Sequence, residues 1–455
     1  MPIQSQNPAT EEIVRTYAPH DGAFVDRALD RAVAAGAELR AAGVRARAAA
    51  LTEAAAVLER RADALSAVMT EEMGKTRASA RAEVQKCASA CRYYAEHAER
   101  FMRPEIVPGA GSVVPLPLGP ILAVMPWNFP LWQVVRFAAP ALAAGNTGLL
   151  KHASNVPACA LALEEVFAEA GFPEGAFQTL LIGSDRVEAI IRDDRVRGVT
   201  LTGSGPAGAA VARVAGEEIK PSLLELGGTD AFLVMPSADL GAAAEAAVLG
   251  RTQNNGQSCI AAKRFLVHAD VYDAFRDRFA AAIEALTLGD PMADGTDIGP
   301  LATKAGREEV DGLVSDALAK GARRVTGARA AEGPNDGRGW WYAPGLIEDV
   351  PESAAAFREE VFGPVAMLHR VPSLDAGIDL ANDTHLGLGS AIFTRDDAEK
   401  RAAVQRLEAG ATAINRIVAS DPRLPFGGIK QSGYGRELAR DGLMAFVNKK
   451  TVTGN

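Results

Sequence analysis

The chain has 455 residues, of which 48% are hydrophobic and 23% charged, and its formal net charge is -9. That length exceeds one ordinary core and calls for two or more domains. The acidic balance argues against a nucleic-acid surface or an anionic membrane as partner. Without a run of eighteen uncharged apolar residues, no membrane span is read.

The first stretch, MPIQSQNPATEEIV, lacks the basic-then-apolar pattern of a signal peptide. Four cysteines in so long a chain make no disulfide framework, and a reducing cytoplasm is the expected location. Residues 22–102 are predicted helical. Leu51, Ala54 and Leu58 recur at helical spacing, then Leu65, Val68, Met69 and Met73, with Gly43 and Gly74 as helix ends. Cys87 and Cys91 lie four apart on this pattern. With no histidine cluster beside them, they are expected on a solvated or half-buried face rather than at a metal. Residues 104–120, PEIVPGAGSVVPLPLGP, exclude helix. They read either as a linker or as an arm giving strands to a subunit contact.

From Ile121 short apolar runs alternate with helical patterns: ILAVM, TGLLK, FQTLLI, GVTLTG, SLLEL and AFLVM, with helices between. This rhythm predicts a parallel sheet covered on both faces, with ligands beyond the carboxyl ends of its strands. Trp127-Asn128, Lys151 and GSGPAG at 203–208 fall at such ends. A second alternating region begins near Ala262, with strands at RFLVH, GLIEDV, VAMLHRV, SAIFT and ATAIN. The fold class is therefore α/β, with two doubly wound parallel-sheet lobes, 1–103 with 121–232 and 233–430, and, where 104–120 is an arm rather than a linker, a small oligomerisation segment of 104–120 with 431–455.

Between the lobes stands QNNGQSCIA, residues 253–261. A thiol among Gly, Gln and Ser just after a helix is presented rather than packed, which makes Cys259 a candidate nucleophile. Most cysteines are inert core, so partners are required to support that reading. GSGPAG matches the glycine pattern that brings backbone close to a phosphate at a helix N-terminus. Taken alone, it would make Glu225, about twenty residues on, a ribose ligand.

Seven motifs in order point elsewhere: PWNFP at 126–130, LLKHAS at 149–154, TGS at 202–204, LELGG at 224–228, NNGQSC at 254–259, EEVFGPV at 359–365 and PFGGIKQSGYGRE at 425–437. Together they resemble the aldehyde dehydrogenase superfamily over essentially the whole chain. The resemblance implies Cys259 as nucleophile, Glu225 as general base, and Asn128 as oxyanion donor with the Cys259 N–H. It implies a nicotinamide cofactor, NAD or NADP, held by Trp127, Lys151, Ser154, Gly203, Ser204, Leu226, Glu360 and Phe362. Glu360 would take the nicotinamide-side ribose and Lys151 the adenosine ribose. Ser154 neither repels a 2′-phosphate nor specifies a 2′-hydroxyl, so both cofactors are admitted. A homodimer or homotetramer is implied, with a small-molecule aldehyde as partner and neither nucleic acid nor membrane.

Within the family the stretches FREEVFGPVA, GRELARDGL and GQSCIAAKRF are most similar to succinate-semialdehyde dehydrogenases. Arg136 and Ser420 then stand at positions that contact the substrate carboxylate. Gln253 replaces an arginine that many relatives carry there, with Arg251 two positions away, and Ala261 replaces the second cysteine of a redox switch. The alternatives are an enzyme for another aliphatic or aromatic aldehyde, or a non-catalytic protein on this scaffold.

Overall fold

A computed structural model describes residues 2–334 and 336–454. Helices Gly22–Arg60, Ala62–Met73 and Arg77–Phe101 make the N-terminal layer. The first is interrupted at Gly43 (φ 80°, ψ 170°), and Gly74 ends the second in the left-handed conformation, as the punctuation of the sequence suggests. Leu51, Ala54, Leu58, Leu65, Met69 and Met73 are all buried in one core. Cys87 and Cys91 lie in that core at 0% exposure, so they are not on a solvated or half-buried face. Their helix packs against both the first helix and Trp132–Ala144, which leaves it no free apolar side.

A six-stranded sheet runs in the order Gly433–Tyr434, Ser222–Glu225, Gly198–Thr202, Pro120–Met125, Thr147–His152, Phe177–Thr179. All its pairings are parallel except the edge contributed by Gly433–Tyr434. A seven-stranded sheet runs Arg323–Thr326, Gly345–Glu348, Val365–Val371, Ala262–His268, Asp230–Val234, Gly389–Phe393, Ala411–Ile414. Here too only the first edge is antiparallel. The central strands Pro120–Met125, Gly198–Thr202 and Asp230–Val234 are buried on both faces, which is why they read as unbroken apolar runs. The arm is no linker. Glu105–Val107 and Gly111–Pro117 form a three-stranded antiparallel sheet with Val447–Val452.

A hairpin of Ile3–Gln6 and Ile13–Tyr17 and the helices Leu374–Asn382 and Asp397–Arg406 complete elements that the sequence pattern did not announce. Among the described residues, no helix is long and apolar enough to cross a membrane.

Candidate active site

The nucleophile's loop is built from three consecutive left-handed residues. After helix Leu240–Thr252 ends, Asn254, Asn255 and Gly256 have φ of 57°, 57° and 74°. That region costs most side chains about 1–2 kcal/mol, and asparagine and glycine tolerate it best. A side chain at 256 would also meet the Gly363–Pro364 backbone at 2.5 Å. The asparagines are rivets as well. Asn255 Nδ2 donates to the carbonyls of Gly74 and Pro300 at 2.9 Å, while its oxygen accepts from Gly299 N–H at 3.0 Å. Asn254 Nδ2 donates to the carbonyls of Asn128 (2.7 Å) and Gln257 (2.9 Å), tying the two halves of the site together. Cys259 is thereby held half-buried on the wall of a cavity of about 510 Å³ that Trp127 and Asn128 also line. Burial pushes its thiol up to about 12, against the opposing fields of Arg136 and Lys263.

Asn128 follows the strand Pro120–Met125, and one of its amide hydrogens goes to the Gln257 carbonyl at 3.1 Å. The other is left to donate. His152, from the next strand, clamps this turn. Its Nε2 lies 2.8 Å from the Pro130 carbonyl, and its Nδ1 lies 2.9 Å from Ala153 N–H and 3.3 Å from the Met125 carbonyl. Burial lowers the imidazole to about 4, keeping it neutral. Glu83 accepts the N–H groups of Leu131 (2.9 Å) and Trp132 (2.8 Å), capping the helix Trp132–Ala144, and its other oxygen takes buried Lys75.

Glu225 ends the strand Ser222–Glu225 with both carboxylate oxygens buried and without a side-chain hydrogen-bond partner among the described residues. Burial raises its pKa well above the usual carboxylate range, with Arg136 opposing and Glu437 reinforcing the shift. A side chain in place of Gly427 would come within 2.7 Å of that carboxylate. Arg136 forms a buried ion pair with Glu437, stacks over the Phe426 ring at 4.7 Å and donates to Thr202 Oγ1 at 3.3 Å. It is not on the wall of the Cys259 cavity. Its charge opposes the upward shifts of Cys259, Glu225 and Glu437. Arg136→Leu is expected to leave Glu437 unpaired and to cost as much as about 3–5 kcal/mol, less if Glu437 takes a proton. An unchanged urea midpoint would rule this out.

On the opposite wall, Gly203, Ser204, Leu226, Glu360 and Phe362 line the same cavity. Ser204 precedes helix Gly205–Glu217, whose N-terminus is suited to an anion. Trp127 and Phe362 meet edge to face at 5.8 Å. Buried Lys263 pairs with Glu360 at 2.8 Å and donates to the carbonyls of Ser258 and Cys259, each at 2.8 Å. Lys151 lines a neighbouring cavity of about 200 Å³ with Ser184, Glu188 and Arg213. Ser154 is exposed and not on that wall. Ser420 is buried, and its Oγ accepts from Lys86 Nζ at 2.7 Å and from Trp132 Nε1 at 3.1 Å. His152, Glu83, Lys263, Glu437 and Lys86 escape a reading by motif. Of these, His152 sits inside LLKHAS, Glu437 closes PFGGIKQSGYGRE and Lys263 lies within GQSCIAAKRF, so Glu83 and Lys86 are the two outside every quoted stretch.

A thiol, an amide and a buried carboxylate are thus brought together near the start of helix Gly205–Glu217, in a chain whose relatives are aldehyde oxidoreductases. The model of the aldehyde dehydrogenase family matches residues 1–452, and the chain belongs to that family. It is 54% identical to succinate-semialdehyde dehydrogenase [NADP(+)] 1 of Mycobacterium tuberculosis (strain ATCC 25618 / H37Rv), over 99% of each chain. It is 53% identical to succinate-semialdehyde dehydrogenase [NADP(+)] of Mycolicibacterium paratuberculosis (strain ATCC BAA-968 / K-10), over 99% of this chain and 96% of the relative. The crystal structure of the Streptococcus pyogenes succinic semialdehyde dehydrogenase with NADP+ superposes with a TM-score of 0.95 at 35% identity, covering 99% of this chain and 100% of that one.

Proposed function

We propose that the protein oxidises succinate semialdehyde to succinate, with NADP or NAD as electron acceptor, through a thioester on Cys259. The observation that carries this reading is Cys259 beside Asn128 on one cavity, with Glu225 and its raised pKa nearby. The names of the mycobacterial relatives support the substrate and favour NADP. The cofactor fits the residues present. The Ser204 helix end suits its pyrophosphate, Glu360 on Lys263 suits the nicotinamide-side ribose, and Lys151 suits the adenosine end.

In this reading Cys259 reacts as the thiolate, its proton having gone to bulk water, and the sulfur bonds to the carbonyl carbon while the carbonyl π pair moves onto oxygen. Asn128 Nδ2–H and the Cys259 N–H hold the oxyanion, each such donor being worth about 10²–10³ in rate. Collapse of the tetrahedral adduct re-forms C=O and expels the hydrogen with its electron pair. A bound nicotinamide supplies the acceptor for that hydride. Glu225 then takes a proton from water, the oxygen adds to the thioester, and the carbon–sulfur bond breaks to give the acid and the thiol.

Four aldehydes, two carrying a carboxylate and two neutral, assayed against both nucleotides by the near-ultraviolet absorbance of reduced nicotinamide, test the whole reading. Turnover only of the neutral aldehydes would refute the substrate. Lys151→Ala is expected to raise the KM for NADP about 10-fold, the scale of one charge-assisted bond, and that for NAD less. Equal effects on the two would remove Lys151 from the 2′-phosphate. Residues 1–103 with 121–232 serve as the dinucleotide unit and 233–430 as the catalytic one. The cytoplasmic location is supported by four free thiols. The arm's exposed Ile106, Val107 and Val452 support self-association through residues 104–120 and 431–455 into a dimer or tetramer. A monomeric sedimentation coefficient at micromolar protein would exclude that.

A further inference from the structure

A second cavity of about 510 Å³ lies on the other side of the Asn128–Gln133 segment. Phe129, Trp132, Lys86, Thr76, Gln253 and Asn254 are on its wall, whereas Asn128 and Gln133 face the Cys259 cavity. The segment that carries the oxyanion donor is thus a partition, with a cation on its far side. We propose that Lys86, with Ser420, receives the far carboxylate of the aldehyde substrate and is the residue that sets the preference for a carboxylated substrate. This rests on the substrate reading above.

Among the described residues, Lys86 is a cation without a paired acid. Its ammonium stands 4.4 Å from the Trp132 ring centroid and donates to Ser420 Oγ at 2.7 Å, and among the described residues it forms no ion pair. The acids near it are already committed. Glu83 holds Lys75 and the start of the Trp132–Ala144 helix, and Asp421 is paired with Arg423. Arg136, the other cation of this region, is neutralised by Glu437. A half-buried ammonium is costly unless an anion completes it, and the substrate brings one. Ser420 adds a directed proton. Its oxygen already accepts from Lys86 and Trp132, so its own O–H is left to donate. An ammonium and a hydroxyl side by side match the two oxygens of one carboxylate. Gln253, whose buried Nε2 has no hydrogen-bond partner among the described residues, is on this same wall.

Charge on Lys86 adds a readout that needs no variant. Burial, together with the Arg136 field, lowers its pKa to about 8 against Cys87, Glu83 and Asp421. Glu245 and Asp297 line the same cavity. The lysine loses its charge as pH rises through that value, and with it the attraction for a carboxylate.

The measurement is the ratio of kcat/KM for succinate semialdehyde to that for butanal, in which titration of Cys259 and Glu225 cancels. Wild-type enzyme should favour succinate semialdehyde. In Lys86→Met the ratio should fall roughly 10- to 100-fold, the scale of one hydrogen bond to a charged group, and chiefly through KM. Lys86→Arg should restore most of it. In wild-type enzyme the ratio should decline above about pH 8, which stands even where the methionine variant fails to fold. A wild-type enzyme without the preference would refute the substrate reading and this proposal together. A preference that survives in Lys86→Met, or a ratio flat across pH 7–10 (about three units around the lysine), would overturn Lys86 alone.

Discussion

Cys259→Ala is expected to lower kcat by about 10⁴-fold or more, since the covalent route disappears with the sulfur. The fold should be unmoved. Cys259 is half-buried on a cavity wall rather than deep in packing, and its loop is held by Asn254, Asn255 and Lys263 instead. Binding of the nucleotide, followed by quenching of Trp127 or Phe362 neighbours in fluorescence, should persist. Residual turnover within tenfold of wild type would show that another group attacks the carbonyl. The wild-type thiol also makes a prediction about pH. Because burial holds it up at about 12, the reactive thiolate is scarce at neutrality. The acylation rate should therefore climb with pH through the alkaline range, in the direction opposite to the Lys86 effect on substrate preference.

Glu225→Gln separates the two halves of the reaction. The thioester should still form, but water would lack its base, so steady-state turnover should drop by about 10²–10⁴. Rapid mixing should show a burst of reduced cofactor near one per site, then near silence. A carboxylate raised by burial works as a base only in its ionised fraction, so wild-type deacylation should quicken as pH rises. If the glutamine variant gives no burst, Glu225 is needed to ionise Cys259 as well. If it turns over at the wild-type rate, the base is another group, and Glu437, close by and also raised by burial, is the first to test.

Much of this architecture was legible in advance, for physical reasons. Strands covered on both faces must be apolar throughout, so ILAVM, GVTLT and AFLVM announced themselves, and the seven motifs fell where backbone geometry or chemistry admits few residues. Asn254-Asn255-Gly256 shows the logic: the sequence displayed only a polar loop, whereas three left-handed residues in succession explain why those types stand there. Other features depend on tertiary partners that spacing does not encode. Arg136 was expected at the substrate, yet Glu437, some three hundred positions later, captures its guanidinium. Cys87 and Cys91 looked half-solvated because the helices covering their face were invisible locally. Lys86 was one charge among many on a helix until Ser420 and Trp132 were brought beside it.

Lys263 ends as more than a buried support. One ammonium grips two carbonyls of the nucleophile's loop and the acid across the cleft. The side chain acts as a tie-bar: tension at Glu360 is felt at Cys259 with no hinge between. Under the roles proposed above, the acid for the cofactor's ribose and the loop of the nucleophile share a single anchoring side chain.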